Sequence, residues 1–584
     1  MTRRELFVLL SALPLTAQDF ANDPVLRALR DELDRSKSLR LPGVEAPYYI
    51  EFGLDELETF VTAATMGATV RTNENRTRVP RVQVRVGDAS FDNTNYVFSD
   101  FFGAGRVSGT RIPIDDDYKV IRYNFWLAAD RVYKGSVEAL ARKRAALRNI
   151  TQQEKLNDFA KAEPAKVLLP STRIVRKHAE WEAMARRLSA AFAEYPKVTA
   201  SGVEFEAGYS TSYLVNTEGT ELRFPDDLFF VRIRGCAQAP DGMPVRDAAV
   251  FQARTLEKLP GEAALRQGVA EVARNTTDLA AAPVGEDYSG PVMVEGVAAA
   301  QMFAQLVGAN LALTRRPVIE PGRNFPFPES ELQGRLNSRI LPEWMDVIDD
   351  PVQTSYGGEE LQGSYPVDME GVVPKAVTVV EGGSVKGFLH TRQPVRGFEG
   401  SNGRARLPGS FGAKAAVFSN LLVKARQTVP AGELKKKLLE LVSQRGKDYG
   451  LLIRKLDFPT AASFDELRRM SAASGQRGEL RIPALPLLAY RVYPDGREEL
   501  VRGLKFRALN VRSLRDIVAA SDKETIFHFI GNGAPLPTLD PSGYVTPHTV
   551  VAPSLLFEDL ELEKREEDWP KLPVVPPPPL VSTR

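Results

Sequence analysis

Apolar residues recur at helical spacing near the start of the chain and alternate with polar residues through much of the rest. Leu26, Leu29 and Leu33 predict an amphipathic helix over Asp23 to Ser36. Further helices are predicted over residues 135–148, 175–195 and 261–275. Alternation predicts antiparallel strands over residues 48–52, 56–70, 81–86, 203–215, 221–233 and 247–255, with a helix as the alternative for the long segment 56–70. Helices interleaved with hairpins, without regular βαβ units, indicate an α+β fold class.

The pattern changes near residues 280–288, where Ala-Pro-Val-Gly interrupts a helix and marks a domain boundary. Beyond it, short strands are predicted over residues 377–380, 415–423, 451–456, 487–493 and 498–501, with one clear helix at 432–443. This half is predicted to be mainly β, with a curved or barrel-like sheet. We therefore divide the chain into an N-terminal α+β domain (19–285), a β-rich domain (286–562) and an acidic, proline-rich tail (563–584).

Composition is that of an ordinary globular protein. The chain has 584 residues, with 76 Lys and Arg against 75 Asp and Glu, a formal net charge of +1. No basic block is present, which argues against nucleic acid as a partner. A single cysteine, Cys236, excludes an intrachain disulfide and favours a buried or half-buried structural thiol.

The first 18 residues have a basic start, an apolar stretch from Leu6 to Leu15 and then a small residue, Ala17, as in the cleavage region of a signal peptide. This pattern favours a bacterial export signal over a cytosolic amphipathic helix, because the apolar run has no helical period. Arg3 and Arg4 also resemble a loose twin-arginine export motif. The stretch is too short to span a membrane, so we expect a periplasmic or secreted protein without a membrane span.

A strand-to-helix corner lies at Tyr288 to Asn310, where a short apolar run turns through Gly296 into an Ala-rich helix. Three segments follow in order: a D-x-E-G turn and hairpin (368–386), the loop SNGRAR (401–406) and the strand-helix segment LVRGLKFRALNVRSLRD (500–516). Together the four segments resemble the TldD/PmbA metallopeptidase family, also called the modulator of DNA gyrase family. The resemblance implies that the second half has the family's β-rich fold.

In metal-binding members of that family, an HExxxH motif occupies the corner. The best alignment places Glu295 and Ala300 on the two histidines, and a register shifted by one places Val294 and Ala299 there. Neither register supplies a ligand, and Cys236 lies in the wrong half to replace the family's late cysteine. The resemblance therefore implies no metal ligand, no catalytic residue and no cofactor. It is nearest to the PmbA-like (TldE) subunit, which lacks the motif.

Five residues are candidates for binding substrate. By resemblance, the N-G-R loop borders the substrate cavity, so Asn402, Gly403 and Arg404 are candidate contacts to a peptide backbone. His390 is a candidate cavity residue, with a structural hydrogen bond as the alternative. Glu295 is the fifth candidate, and it also suits an anion stabilised at a helix N-terminus. Without a metal it cannot activate water as a general base, because the cation is what lowers the pKa of the water.

The remaining chemistry-bearing residues form no motif. No two of the four histidines stand three to five residues apart, so no helical metal pair exists: His178, His390, His528 and His548. The acidic pair Asp368 and Glu370 is interpreted as turn-forming rather than as an acid–base pair of the glycosidase type.

The resemblance implies a non-catalytic subunit that binds unfolded peptide and forms a dimer with a metal-bearing TldD-like partner. Peptide is expected to bind as an added strand. A standalone exported binding or scaffold protein that pairs with itself is the alternative. A peptidase with a relocated active site remains a third possibility.

Overall fold

A computed structural model describes residues 20, 22–97, 112–148, 156–319, 330–408, 414–458, 485–531, 545–570, 573 and 575. Within these residues the chain has an α+β fold built on two large β-sheets, which confirms the predicted fold class. The predicted export signal lies outside the described residues.

Six α-helices are present in the described part of the chain: α1 (Pro24–Ser36), α2 (Tyr118–Leu147), α3 (His178–Ala190), α4 (Glu262–Ala281), α5 (Val297–Leu306) and α6 (Ala431–Gln444). The Asp23 side chain accepts a hydrogen bond from the backbone N–H of Leu26 at 2.9 Å and so caps α1. Helix α2 begins well before its predicted start at residue 135. Asp117 caps it, and the buried side chains Ile121 and Phe125 continue its apolar face upstream.

The first half of the chain contributes eight strands: β1 (Pro47–Thr65), β2 (Ala68–Val86), β3 (Tyr96–Val97), β4 (Lys166–Leu168), β5 (Val198–Asn216), β6 (Glu221–Pro225), β7 (Leu228–Gln238) and β8 (Pro244–Ala253). All except β3 join one seven-stranded sheet, in the order β2-β1-β5-β6-β4, with β7 between β5 and β8. Strand β3 pairs instead with β10 (Val318–Ile319).

Two predicted boundaries in this sheet were wrong. The three strands predicted over 48–52, 56–70 and 81–86 form one long hairpin, because the chain turns only at Met66 and Gly67, both with positive φ. The strand predicted over 221–233 is broken at Asp226 and Asp227. There the Asp227 side chain accepts a hydrogen bond from the backbone N–H of Ser210 at 2.9 Å, so the chain bends away from a regular strand.

One face of this sheet packs on the helices, and the other is polar. Ile50, Phe52 and Leu54 pack in the core region formed with α1 and α2, and Phe205 and Ile233 pack in the region formed with α3 and α4. On the opposite face Glu204 forms ion pairs with Arg71 at 2.6 Å and with Arg232 at 2.8 Å. The helices therefore leave a polar sheet face turned towards the second half.

The second half holds the other strands: β9 (Tyr288–Val294), β10, β11 (Met345–Asp349), β12 (Ser355–Tyr356), β13 (Glu359–Glu360), β14 (Val377–Glu381), β15 (Ser384–Val385), β16 (Ala405–Pro408), β17 (Lys414–Ala416), β18 (Asn420–Ala425), β19 (Gly450–Leu456), β20 (Pro486–Val492), β21 (Glu498–Val501), β22 (Leu504–Phe506), β23 (Ile517–Gly531) and β24 (Thr546–Lys564). Eleven of them form a mixed sheet in the order β15-β14-β11-β18-β24-β9-β19-β20-β21, with β22 and β23 also on β24. Among the described residues β15 does not pair with β21, so this sheet is open rather than a closed barrel.

Strand β24 is the centre of the second sheet. It is 19 residues long and pairs with β9, β18, β22 and β23. It runs on to Lys564, past the predicted start of the tail, and the Gln238 side chain then donates a hydrogen bond to the carbonyl of Pro570 at 2.6 Å. The beginning of the predicted tail therefore packs against the first half of the chain.

The predicted strand-to-helix corner is present. Strand β9 ends at Val294, Gly296 turns the chain at φ 57°, and α5 follows. The helix is buried nearly all round, and Ala298, Ala299 and Ala300 are fully buried. No helix in the described residues is long and apolar enough to cross a membrane.

Candidate functional site

A cavity of about 770 Å³ lies between the two halves of the chain. Strand β8 forms one wall. The first turn of α5, the end of β19, part of β23 and the β13 arm of the hairpin β12–β13 contribute further lining residues, together with parts of β5 and β7. The α5 residues Val297 and Gln301 are among the lining residues, so the cavity opens beside the strand-to-helix corner.

Strand β8 presents its free edge to this cavity. Among the described strands it pairs only with β7. The carbonyl of Ala248 accepts a hydrogen bond from Lys455 Nζ at 2.7 Å, so this carbonyl points away from β7. Because backbone groups alternate in direction along a strand, the N–H and C=O groups of Val250 and Gln252 point the same way. An extended chain placed in the cavity would meet these groups as a neighbouring strand would.

Ion pairs join the two halves around the cavity. Arg246 of β8 pairs with Asp457 at 2.8 Å, and Asp247 pairs with Lys455 at 2.6 Å. Lys258, just after β8, pairs with Glu360 of the hairpin at 2.8 Å. These charged side chains are thus already neutralised by one another across the cleft.

Glu295 lies at the corner but is held by a cation. Its carboxylate accepts a hydrogen bond from Arg454 Nε at 2.7 Å, and Arg454 also pairs with Glu498 at 2.8 Å. Lys435 extends this chain of charges by pairing with Glu498 at 2.7 Å. The guanidinium, rather than the helix N-terminus proposed from the sequence, is therefore the group that stabilises the Glu295 carboxylate.

The positions aligned with the family's metal ligands do not fit a metal. Zinc requires nitrogen, sulfur or oxygen donors from three or four side chains. Val294, Ala299 and Ala300 have none and are fully buried in apolar core, while Glu295 is engaged by Arg454. Within the described residues, no group of three or more His, Cys, Asp or Glu side chains is placed to hold a metal ion.

His390, Asn402 and Gly403 hold one loop together. The Asn402 side chain accepts a hydrogen bond from the His390 backbone N–H at 3.0 Å and donates one to the carbonyl of Phe388 at 2.7 Å. The His390 ring hydrogen-bonds the carbonyl of Gly400, and burial lowers the pKa of this histidine. Gly403 adopts φ 75° and its carbonyl accepts a hydrogen bond from the Tyr365 hydroxyl at 2.6 Å.

Arg404 is buried completely. It donates to the Asp349 carboxylate at 2.6 Å and to the carbonyls of Asn402 and Lys375, each at 2.6 Å. Asp349 is also fully buried and accepts further hydrogen bonds from the backbone N–H and hydroxyl of Ser419. In this conformation Arg404 presents no surface to a peptide. The cavity between the two halves is lined by none of the five candidate residues.

His528 is the histidine that lines the cavity. The Thr549 hydroxyl accepts the backbone N–H of Gln362 at 2.9 Å, so its own proton is free to be donated to His528 Nδ1 at 2.9 Å. His528 Nε2–H then donates to Glu359 at 2.9 Å. The series Thr549, His528 and Glu359 resembles the nucleophile, base and acid of a catalytic triad. Thr549 is fully buried, however, and offers no attacking oxygen to the cavity. Burial lowers the pKa of His528, in keeping with the neutral ring.

His548 lies opposite Phe529 on the neighbouring strand and is fully engaged. Its Nδ1–H donates to the carbonyl of Phe418 at 2.8 Å, and its Nε2 accepts the Thr546 hydroxyl at 2.7 Å. Complete burial lowers the pKa of this ring to about 3.

This buried ring makes stability depend on pH. The folded chain resists protonation of His548 down to about pH 3, whereas the unfolded chain takes up the proton near pH 6.5. The contribution of the neutral His548 ring to the free energy of unfolding is thus fully present above pH 6.5. It is lost as the pH falls below that value, at roughly 1.4 kcal/mol per pH unit. Denaturant titrations from pH 7 to 5 are expected to show a shallower loss for His548→Gln than for the unmodified protein. Equal slopes would contradict the assignment.

Asp368 and Glu370 serve the loop, as the sequence indicates. The Asp368 carboxylate accepts backbone N–H groups of Glu370, Val372 and Ala405 at 2.9–3.0 Å. Glu370 accepts the backbone N–H of Arg392 at 2.7 Å. Burial, followed by the neighbouring Glu370, raises the pKa of Asp368 to about 7. Both carboxyl groups are buried inside protein rather than facing the cavity.

Comparison with known proteins identifies this architecture. Residues 291–462 match the family model described as the PmbA/TldA metallopeptidase C-terminal domain. An Archaeoglobus fulgidus protein described as a metalloprotease is 37% identical over 78 residues, which cover 13% of this chain and 17% of that relative. The chain therefore matches about a sixth of the length of this curated relative.

Solved structures match over almost the whole chain. A protein from Thermotoga maritima described as a modulator of DNA gyrase has a TM-score of 0.54 at 15% identity, covering 94% of this chain and 100% of its own. TldE from Thermococcus kodakarensis has a TM-score of 0.53 at 12% identity, and the match covers 92% of this chain and 99% of TldE. A Bacteroides thetaiotaomicron protein described as a modulator of DNA gyrase has a TM-score of 0.53 at 10% identity, and the match covers 94% of this chain and 100% of that protein.

Two halves that face each other across a cavity beside the strand-to-helix corner give this chain the fold of the solved structures described as modulators of DNA gyrase. Residues 291–462 match the family's C-terminal domain, and the resemblance to the TldD/PmbA family drawn from the four sequence segments is confirmed.

Sequence reasoning missed the residues that line the cavity. They come from distant segments with no shared motif, so only the fold brings them together. A weak signal was present in β8, where Arg246, Asp247 and Gln252 interrupt an otherwise apolar strand. Another was the pair Lys455 and Asp457 at the end of β19.

Proposed function

We propose that this protein is a non-catalytic TldD/PmbA-family subunit that binds unfolded peptide in the cavity between its halves. It works as a dimer with a metal-bearing TldD-like subunit, which supplies the peptidase chemistry. The observation that carries the proposal is the corner itself. There alanines and an ion-paired glutamate stand where the family's metal ligands are expected.

The free edge of β8 supports peptide binding. Its outward backbone groups at Val250 and Gln252 recognise any extended chain through main-chain hydrogen bonds, without selecting a side-chain sequence. The ion pairs across the cleft leave little uncompensated charge to repel or select a peptide.

The donor set at the corner supports the proposal of a partner. With no metal ligand at the aligned positions, the corner cannot lower the pKa of a bound water in the way that metallopeptidases require. The similarity to a solved structure named TldE is in keeping with a subunit of this kind. We further propose that residues 1–18 direct export, so that the mature subunit acts in the periplasm or outside the cell.

The decisive experiment uses the chain expressed without any partner and never exposed to chelator. Elemental analysis is expected to show zinc and iron well below one atom per chain, and an unfolded casein substrate is expected to remain intact. About one tightly bound metal per chain, with chelator-sensitive hydrolysis, would overturn the assignment as a non-catalytic subunit.

Peptide binding is tested separately at the β8 edge. Val250→Pro removes the N–H that points into the cavity while leaving the bonds to β7 in place, because edge strands tolerate proline on the outer side. We expect the affinity for a fluorescent acetylated peptide to fall about tenfold. Val250→Ala keeps the N–H and is the matched control. Equal affinity of both variants would place the peptide elsewhere.

A further inference from the structure

The cavity wall contributed by the second half contains a pair of aromatic rings. Phe458 and Phe527 both line the cavity, and their ring centroids lie 5.3 Å apart in an edge-to-face arrangement. Phe529 contacts both rings, stacked on Phe527 at 5.5 Å and edge-on to Phe458 at 4.9 Å. Phe529 belongs to the core, with 6% of its surface exposed, whereas Phe527 is only half-buried. The core therefore holds the aromatic pair in place, and Phe527 keeps accessible surface beside the cavity.

Two contacts across the cleft place these rings opposite the free edge of β8. At one end Arg246 of β8 pairs with Asp457, the residue before Phe458, at 2.8 Å. At the other end the Gln252 side-chain nitrogen lies 3.5 Å from the carbonyl of Phe529. A peptide that pairs with the β8 edge between these two contacts therefore passes the aromatic pair.

The rest of this wall offers a ligand little besides apolar surface. The charged residues at the end of β19, beside Phe458, are neutralised across the cleft, Asp457 by Arg246 and Lys455 by Asp247. Four more apolar residues of the second half line the cavity: Val297, Leu456, Leu487 and Ile526. An apolar group gains free energy by leaving water for such a wall, whereas a charged group would lose its hydration without gaining a counter-charge.

From this arrangement we propose an apolar subsite, in which Phe458 and Phe527 receive one large apolar side chain of the bound peptide. The inference rests on the proposed function, because the peptide backbone pairs with the β8 edge while its side chain enters the subsite. The ligand class is an extended segment that carries phenylalanine, leucine or a similar side chain at this position.

Such a subsite gives the cavity a means of recognising unfolded chains. Large apolar side chains are mostly buried in folded proteins and become accessible when the chain unfolds. The β8 edge requires an extended backbone, and the aromatic pair requires an accessible apolar side chain. A folded protein seldom offers both in one segment, whereas an unfolded chain offers them at many places.

The test uses a series of fluorescein-labelled peptides, Ala-Ala-X-Ala-Ala-amide, in which X is phenylalanine, leucine, alanine or lysine. Anisotropy titrations of the full chain are expected to show the phenylalanine and leucine peptides binding at least about tenfold more tightly than the alanine peptide, because only they bury a large apolar side chain. The lysine peptide is expected to bind no more tightly than the alanine peptide. The common label cancels in each comparison.

Protein variants locate the effect. Phe527→Gln is expected to weaken binding of the phenylalanine peptide about tenfold, and Phe527→Leu, which keeps an apolar side chain, to retain most of the affinity. Phe398→Gln is the matched control and is expected to bind like the unmodified protein. Phe398 is also half-buried and packs edge-to-face on another ring, that of Phe388 at 5.5 Å, but it does not line the cavity.

A crosslinking measurement locates the side chain without any variant. A peptide with p-benzoylphenylalanine at X, irradiated on the unmodified chain, is expected to label residues of β23 or the end of β19, as mapped by mass spectrometry. Labelling confined to other parts of the chain would overturn the subsite even if Phe527→Gln failed to fold.

The outcomes separate the two proposals. If no peptide of the series binds, the proposed peptide-binding function fails and the subsite fails with it. If all four peptides bind equally, or if Phe527→Gln keeps the full preference for phenylalanine over alanine, the apolar subsite is overturned and peptide binding stands.

Discussion

Replacing Arg404 with methionine is expected to lower the free energy of unfolding by about 3–5 kcal/mol, because it leaves the buried Asp349 carboxylate without its counter-charge. Both side chains are fully buried, and Arg404 also supplies donors to the carbonyls of Asn402 and Lys375. Methionine fills part of the volume but offers no N–H group, so the carboxylate and both carbonyls lose a partner.

The measurement is the denaturant midpoint of Arg404→Met beside that of Arg426→Met. Arg426 forms a similar ion pair with Asp346 at 2.7 Å, but its side chain is 54% exposed, so its loss is expected to cost about 1 kcal/mol or less. A variant as stable as this control, with reduced affinity for peptide, would instead return Arg404 to the role of a substrate contact.

Gly403→Ala is expected to destabilise the protein by roughly 2–5 kcal/mol. The residue has φ 75°, which costs an alanine about 1–2 kcal/mol. In addition, a Cβ atom would stand 2.6 Å from the Cα of Pro374. That neighbour is backbone and cannot rotate away, so the overlap adds a cost of about 1–3 kcal/mol.

A glycine in the same loop provides the control. Gly397 has nearly the same φ, 78°, but a Cβ there meets no atom within 4 Å. Gly397→Ala should therefore show only the backbone cost, and the difference between the two melting curves isolates the contact with Pro374. Equal losses in the two variants would show that the loop moves to accommodate the new methyl group.

The fold class followed from the sequence because it depends on local periodicity. The α1 helix begins where Asp23 caps it, and the Ala-rich run after Gly296 forms α5 as its composition indicates. Strand ends were harder to place, because they depend on tertiary partners. The bend at Asp226 and Asp227 arises from contacts with Ser210 of β5, which no local pattern reveals.

The candidate site was only partly predictable for the same reason. The absence of metal ligands follows from the aligned positions. Val294 is buried at the end of strand β9, and Ala299 and Ala300 are buried on the apolar helix α5. The roles of Asn402 and Arg404 were drawn from the position of a loop. Their partners, the carbonyl of Phe388 and the carboxylate of Asp349, lie elsewhere in the chain and give these side chains structural hydrogen bonds. The role of strand β8 as a cavity wall can be recognised only in the folded structure, where β19 and β23 line the same cavity.

Strand β24 also determines when the protein can fold during its synthesis. Strand β9 pairs with Leu555 to Leu562, and β18 pairs with Thr549 to Val551, so both must wait for segments near the end of the chain. When the ribosome has synthesised the first half and most of the second, the central strand of the second sheet is still missing. Such distant pairing slows folding and leaves apolar strands exposed in the meantime. The partners of β24 therefore stay unpaired on the nascent chain until this strand emerges from the exit tunnel.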